Sequence, residues 1–460
     1  MLTDIKSIEI FIKVFSYIKG ETSLKIIKYN KSLQNKMRID LIDYKILSGK
    51  YIIYEQKGKA KEIDSYNNQI IFEGEYLSGE RNGKGREYYY GELKFEGEYL
   101  NGKREGKGKE YNEFSKTIFE GDYRSGKKWN GKGFDSEGNI IYELTNGKGN
   151  IKEYYNNGNL KFEGEYLNGE KNGKGQEYNK VGELIFEGGY KNGKKWNGNG
   201  FVIKDRKVYK LKNGKGFVQE YYCDNKIKFE GEYLYGERNG KGKEYYNNGK
   251  LKYEGEYLNG KRHGKCREYE YFNEELIFEG EYLYNHKWKG KEYIKGKLEY
   301  EGKYLFDKKW DGKGYNENGN IIYELNNGNG KVKEYNNEGE LSFEGNCLNG
   351  KRNGKGKEYN RVGKLIYEGD YLNDERNGEG KEYNDFGKLV FEGEYRNGKR
   401  WNGQGYNNNE IINELKDGKG YIKEYNKYNE LIFEGEYLNG EKNGKGKLYD
   451  EYGKLLFEGE

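Results

Sequence analysis

Three groups of residues in this chain have types and spacings that could do chemistry. Gly97-Glu98-Tyr99-Leu100-Asn101-Gly102-Lys103 has the spacing of a phosphate-binding loop. Such a loop needs Ser or Thr after its lysine to hold magnesium, and it must join a strand to a helix. Arg104 stands there instead, and the same spacing recurs along the chain. His263 and Cys266, three apart, have the look of a nucleophile or ligand pair. His263, however, stands where sibling segments carry Asn82 and Asn239, and Cys266 where they carry Gly85 and Gly242. The other histidine is His286, too few in all for a triad or a metal cluster. Glu96 and Glu98 pair two carboxylates. Acid–base work needs two carboxylates in different environments, and identical repeats give them the same exposed one. No catalytic residue, cofactor or metal is expected, and the chain reads as non-enzymatic.

The tryptophans are more informative. Trp129, Trp196, Trp288, Trp310 and Trp401 each follow Lys or Arg in the same turn. Four of them directly precede a shortened unit; Trp288 does not. Either these rings plug the gap that a shortened hairpin leaves, or they line a partner-binding strip. Tryptophan beside a cation suits partner hot spots and membrane interfaces. All five are candidate partner-binding residues.

What positions these residues is a repeat. In Leu251-Lys252-Tyr253-Glu254-Gly255-Glu256-Tyr257 the apolar and small residues alternate with charged ones, the mark of a half-buried strand. Asn259-Gly260 then supplies a turn tolerant of positive φ. A glycine-rich strand such as Gly240-Lys241-Gly242-Lys243-Glu244-Tyr245 follows, and Asn247-Asn248-Gly249 turns the chain again. The core glycine recurs from Gly74 to Gly459, most often 24 residues apart, with longer steps that hide four short units. In those, Leu144, Leu211, Leu325 and Leu415 replace the glycine. Glycine weakens a strand unless something must approach closely, so aromatic rings are expected to lie over the Gly-Lys-Gly strand.

Composition agrees with this reading. Only 33% of residues are hydrophobic and 35% are charged, yet 50 Tyr and 20 Phe recur at fixed spacing, so burial must come from rings. Residues 1–53 hold ten Lys/Arg and five Asp/Glu, the whole excess of +5, which leaves 73 of each sign over 54–460. A nucleic-acid groove needs a basic stripe, and this neutral, interleaved array has none. Cys223, Cys266 and Cys347 have no paired spacing, which argues against a disulfide framework or a zinc site. No signal peptide opens the chain, and its longest apolar run, Ile8 to Ile18, is too short to span a bilayer. A cytoplasmic location is expected, with association to cytoskeleton or membrane left open.

Residues 1–46 fall outside the array. Ile8, Phe11, Phe15 and Ile18 follow helical spacing, and Leu24 and Ile27 continue on a second helix. This small helical module, with those six residues as its docking face, either caps the first edge of the array or resembles an F-box, which docks a ubiquitin-ligase adaptor. It lacks the leucine-proline start of such modules.

The unit Tyr253-Glu254-Gly255-Glu256-Tyr257-Leu258-Asn259-Gly260-Lys261-Arg262-His263-Gly264-Lys265 resembles a MORN repeat, and the resemblance extends over most of the chain. Most units here are 24 residues where the family's are 23. The resemblance implies a mainly β fold: an elongated single-layer antiparallel β-meander or solenoid of hairpin repeats over 47–460, about 18–19 units, preceded by the helical module. It implies a non-enzymatic scaffold that binds proteins. Two alternatives stand beside it: an F-box-like substrate receptor whose array binds targets, and a peripheral membrane or phosphoinositide-binding scaffold. The chain closes at Phe457-Glu458-Gly459-Glu460, in mid-unit. The open edge this leaves predicts either a homodimer through the C-terminal repeat or a truncated gene model.

Overall fold

Asn101 and Gly102 turn the chain with φ of +51° and +76°, the two left-handed residues of a type I′ hairpin. They join the strand Glu92–Leu100 to the strand Lys103–Tyr111. This hairpin is the building block of the computed structural model, which describes residues 50–459 apart from 65–66, 203–205, 223, 306, 427, 429 and 451. The helical module expected over 1–46 lies outside those residues, together with its docking face of Ile8, Phe11, Phe15, Ile18, Leu24 and Ile27. Among the described residues there are thirty-seven strands, and the one helix is a 3-10 turn at Gln56–Gly58. The chain divides into two units at Gly264/Lys265.

Within each unit the strands follow one another as an antiparallel meander. The pairing brings Phe95 opposite Glu110, Glu96 opposite Lys109 and Gly97 opposite Gly108. Two glycines facing each other let the backbones close. A Cβ on Gly97 would sit 2.7 Å from the Gly108 Cα, and one on Gly108 would sit 2.5 Å from the tip of the Phe95 ring. The rings therefore do lie over the second glycine of Gly-Lys-Gly, and Phe95 is fully buried. The first glycine serves a different end. Gly106 has φ +69° and sits where the ladder is bulged, between the pairs Gly97↔Gly108 and Tyr99↔Arg104. Bulges of this kind favour glycine in the left-handed region.

The short units interrupt the ladder. It breaks between Leu144 and Gly149, and between Leu211 and Gly216, in the first unit. In the second it breaks between Leu325 and Gly330, and between Leu415 and Gly420. Each break holds a two-bond turn: Thr145 and Lys148 exchange both backbone bonds at 3.0 Å. A change of side chain accompanies each break. Leu144 and Ile151 stand where other hairpins carry the facing glycines, and both are buried. Two β-carbons with their branches keep the strands apart, so the pair fills the core and gives up the ladder. Leu211 with Val218, Leu325 with Val332, and Leu415 with Ile422 repeat the arrangement.

Candidate functional site

The two faces of each hairpin carry different chemistry. On the ring face, Phe95 packs edge-on against Tyr99 and Tyr123, with centroids 5.6 and 5.1 Å apart. Among the described residues, charged groups cover these rings. The Arg104 guanidinium lies 4.0 Å above the Phe95 ring. It reaches Glu87 of the preceding hairpin at 2.5 Å and Glu110 of its own at 2.7 Å. Arg81 likewise bridges Glu62 and Glu87, at 2.8 and 2.9 Å, over Phe72. Tyr99 donates its hydroxyl to Glu87 at 2.9 Å. A ladder of alternating carboxylate and cation thus roofs the aromatic core.

The ladder recurs in both units: Glu220–Arg238–Glu244–Arg262 in the first, and Glu334–Arg352–Glu358–Arg376 in the second. Burial opposes ionisation of Glu87, but the hydrogen bond and charge of Arg104, with Arg81 behind them, hold its carboxyl below the usual range. Glu62 is buried too, yet Arg81 and Lys50 bring it down to about 2. Glu299 departs from the pattern. It is 5% exposed, and burial raises it even though Lys309 is bonded to it. Lys309 also serves Glu292 at 3.4 Å.

The opposite face is charged and open. Glu96 and Glu98 point there from one strand, Lys107 and Lys109 from the next. Cross-strand pairs run along it: Lys109–Glu120 at 3.1 Å, Lys132–Glu143 at 3.5 Å and Lys381–Glu392 at 3.0 Å. Tyr111 donates to Glu96 at 2.6 Å, and burial with that bond pushes its hydroxyl up to about 12. Three grooves follow the glycine seam on this face. Two lie in the first unit, about 910 Å³ between Glu55 and Asp122 and about 780 Å³ between Ile141 and Gly189. One of about 670 Å³ lies in the second, between Ile322 and Glu392. Glycine backbone runs along their floors, with Ile151 or Val332 where a short unit intervenes, and Glu and Lys dominate their walls.

The sequence candidates sit elsewhere. Trp129, Trp196, Trp310 and Trp401 each accept, on the main-chain carbonyl, the amide of a short unit's turn glycine: Gly147, Gly214, Gly328 and Gly418, at 2.6 to 2.8 Å. Each turn glycine then accepts the amide of the next turn: Gly169, Gly236, Gly350 and Gly440, at 2.8 or 2.9 Å. Rings of Trp129, Trp310 and Trp401 lie against those glycines. The residue after each tryptophan completes the hold. The side chains of Asn130, Asn197, Asp311 and Asn402 accept the turn amides of Asn146, Asn213, Asn327 and Asp417. Trp310 is 5% exposed; the other four are partly exposed, and Trp196 stacks on Tyr235. Trp288 is followed by a full hairpin strand, Lys297–Leu305.

Gly97 to Lys103 forms a strand and a hairpin turn, which does not build a phosphate loop. Cys266 is buried in a glycine's place, and burial with Glu334 pushes the Cys347 thiol up to about 12, far from a nucleophile. Among the described residues, no cluster of three or more His, Cys, Asp or Glu could hold a metal.

Sequence reasoning missed the ladder residues. Their signal was present. The second residue after the turn that closes each full aromatic core strand is a cation, as Arg81, Arg104 and Lys128 show, whereas the first varies between Glu80 and Lys103.

A tandem array of antiparallel hairpins with one ring face and one open charged face is a repeat protein built for surface. Nine segments match the family described as MORN repeat, namely 72–91, 95–112, 162–182, 229–250, 253–269, 343–363, 367–386, 391–402 and 433–451. The chain is a MORN-repeat protein, and such repeats make it a repeat-built interaction protein. No curated protein matches it. Among solved structures, a protein of unknown function from Bacteroides caccae aligns over 60% of this chain and 92% of its own, at 8% identity and a TM-score of 0.19. At that score the likeness bears on neither fold nor function.

Proposed function

We propose that the chain is a non-enzymatic scaffold that holds protein partners in the grooves of its charged face. The observation that supports this is repetition of one groove type at three places, each with both signs of charge in its walls. A polyanion or an anionic membrane would need clustered positive charge, and the array over 54–460 balances 73 against 73. A polypeptide, which carries both signs, is the ligand such walls suit.

A display selection of random linear peptides against the full chain tests it. Enriched peptides should lose one binding site on full chains carrying Lys107→Glu and another on chains carrying Lys355→Glu, one groove in each unit. Enrichment indifferent to both substitutions would overturn the groove reading.

A further inference from the structure

The walls of the first groove alternate in sign along the seam, not across it. In the first groove Glu96 and Glu98 flank one glycine, Lys107 and Lys109 the next, Glu120 and Asp122 the one after. At each step both walls carry the same charge, and the next step reverses it. Neighbouring strands lie about 4.8 Å apart, so one full cycle of charge takes about 9.6 Å.

Three dimensions select the occupant. Wall side chains two residues apart on a strand stand about 6.6 Å from each other, whereas an α-helix is about 10–12 Å across and cannot descend between them. An extended strand advances about 10 Å in three residues, but its side chains alternate faces, so every third one points the wrong way in turn. A polyproline II helix advances about 9.3 Å in its three-residue turn and keeps every third side chain on one face. The floor adds a chemical condition. Its backbone groups are committed to the pairing of Gly97 with Gly108 and Gly108 with Gly121, so it offers no donors or acceptors and favours a small or proline residue.

We infer that the first groove binds a polyproline II segment with a three-residue charge period: one proline or small residue on the floor, one cation facing the acidic steps and one anion facing the basic steps. The inference rests on the groove reading above and specifies its ligand. The second unit keeps the alternation in part: Glu344 stands on one step and Lys355 and Lys357 on the next, but Asn346 shares the step of Glu344, and Glu379 and Lys381 flank a single glycine.

Fluorescence anisotropy with the full chain and three labelled peptides tests it: seven repeats of Pro-Lys-Glu, five of Pro-Lys-Pro-Glu and four of the helical Glu-Ala-Ala-Ala-Lys. Pro-Lys-Glu repeats should bind at least about tenfold tighter than either other peptide, as several exposed ion pairs in register would give. Binding should weaken in high salt, and the Lys107→Glu, Lys109→Glu double variant should remove one site from the stoichiometry. Equal binding of the Pro-Lys-Pro-Glu peptide would overturn the three-residue register while leaving the groove reading intact. Tightest binding of the helical peptide, or no binding of any, would overturn the polyproline II assignment, and the display selection would still decide the groove by itself.

Discussion

Gly418 donates its amide to the Trp401 carbonyl at 2.8 Å, and a β-carbon on that glycine would sit 2.8 Å from Cζ3 of the same tryptophan's ring. Backbone and ring of one residue thus grip one turn from two sides. The turn is that of a short unit, where the ladder has lapsed between Leu415 and Gly420. The tryptophan therefore contacts the turn at a point where strand pairing is absent.

This grip can be measured against the turn of the hairpin that carries Trp401. Gly398 and Gly418 have φ of +80° and +69°, but a β-carbon on Gly398 meets nothing within 4 Å. Alanine at either should cost about 1–2 kcal/mol of left-handed strain. Gly418→Ala should cost about 1–3 kcal/mol more, because the ring and the Gly440 amide must move. Hydrogen exchange at the turn amides is the suitable readout, since a repeat array opens locally. Equal losses at the two sites would show that the ring does not secure the turn.

Trp196→Phe and Trp310→Phe separate plugging from partner binding. Trp310 is nearly buried and Trp196 is stacked on the exposed Tyr235. Trp310→Phe should destabilise by about 1–2 kcal/mol through the space it leaves, with a smaller loss at Trp196. Unchanged urea midpoints together with lost recovery of a partner would instead assign these rings to binding.

Gly242 tests the ring-over-glycine contact. Its backbone is not left-handed, but a β-carbon there would lie 2.8 Å from the Phe229 ring and 3.1 Å from Tyr257. Gly242→Val should destabilise by about 1–3 kcal/mol through overpacking alone. A thermal scan that does not move would sink the idea.

The charged roof predicts an acid limb of stability. Glu87 and Glu110 have folded values below the usual 4.5, so their contribution is complete above that pH and drains as the pH falls through the folded values. Glu62, at about 2, is among the last to go. Glu87→Gln should cost about 1.5–3 kcal/mol at pH 7, the scale of hydrogen bonds to a charged group, and should flatten the profile below about pH 4.5.

Glu299 should do the reverse. Its folded value is raised, so its ionisation weighs against the fold as pH rises. Glu299→Gln should therefore raise the denaturation midpoint at pH 8 and leave it nearly unchanged at pH 4. Comparable losses from Glu87→Gln and Glu299→Gln at pH 8 would refute the distinction.

The hairpin was legible in the sequence because its causes are local. Asn-Gly fixes the turn, period-two alternation fixes the faces of Phe95 and Glu96, and glycine marks where a ring must pass. These act over a few residues and repeat often enough to be read against one another. The sequence likewise showed Leu144 in a glycine's place, and nothing in its local pattern said that pairing stops there.

Relations between hairpins were decided only in three dimensions. Hydrophobicity assigns Arg104 and Glu110 to solvent, yet they cover Phe95 and bond across the hairpin boundary to Glu87 and Lys128. Arg104 and Glu87 are 17 residues apart, and the bulge at Gly106 with its register sets whether they meet. So the sequence alone determined the unit, its turns and its neutral charge. Tertiary structure decided which charges roof the rings, which wall the grooves and where the ladder ends, because each depends on how backbones approach across strands rather than on spacing along one.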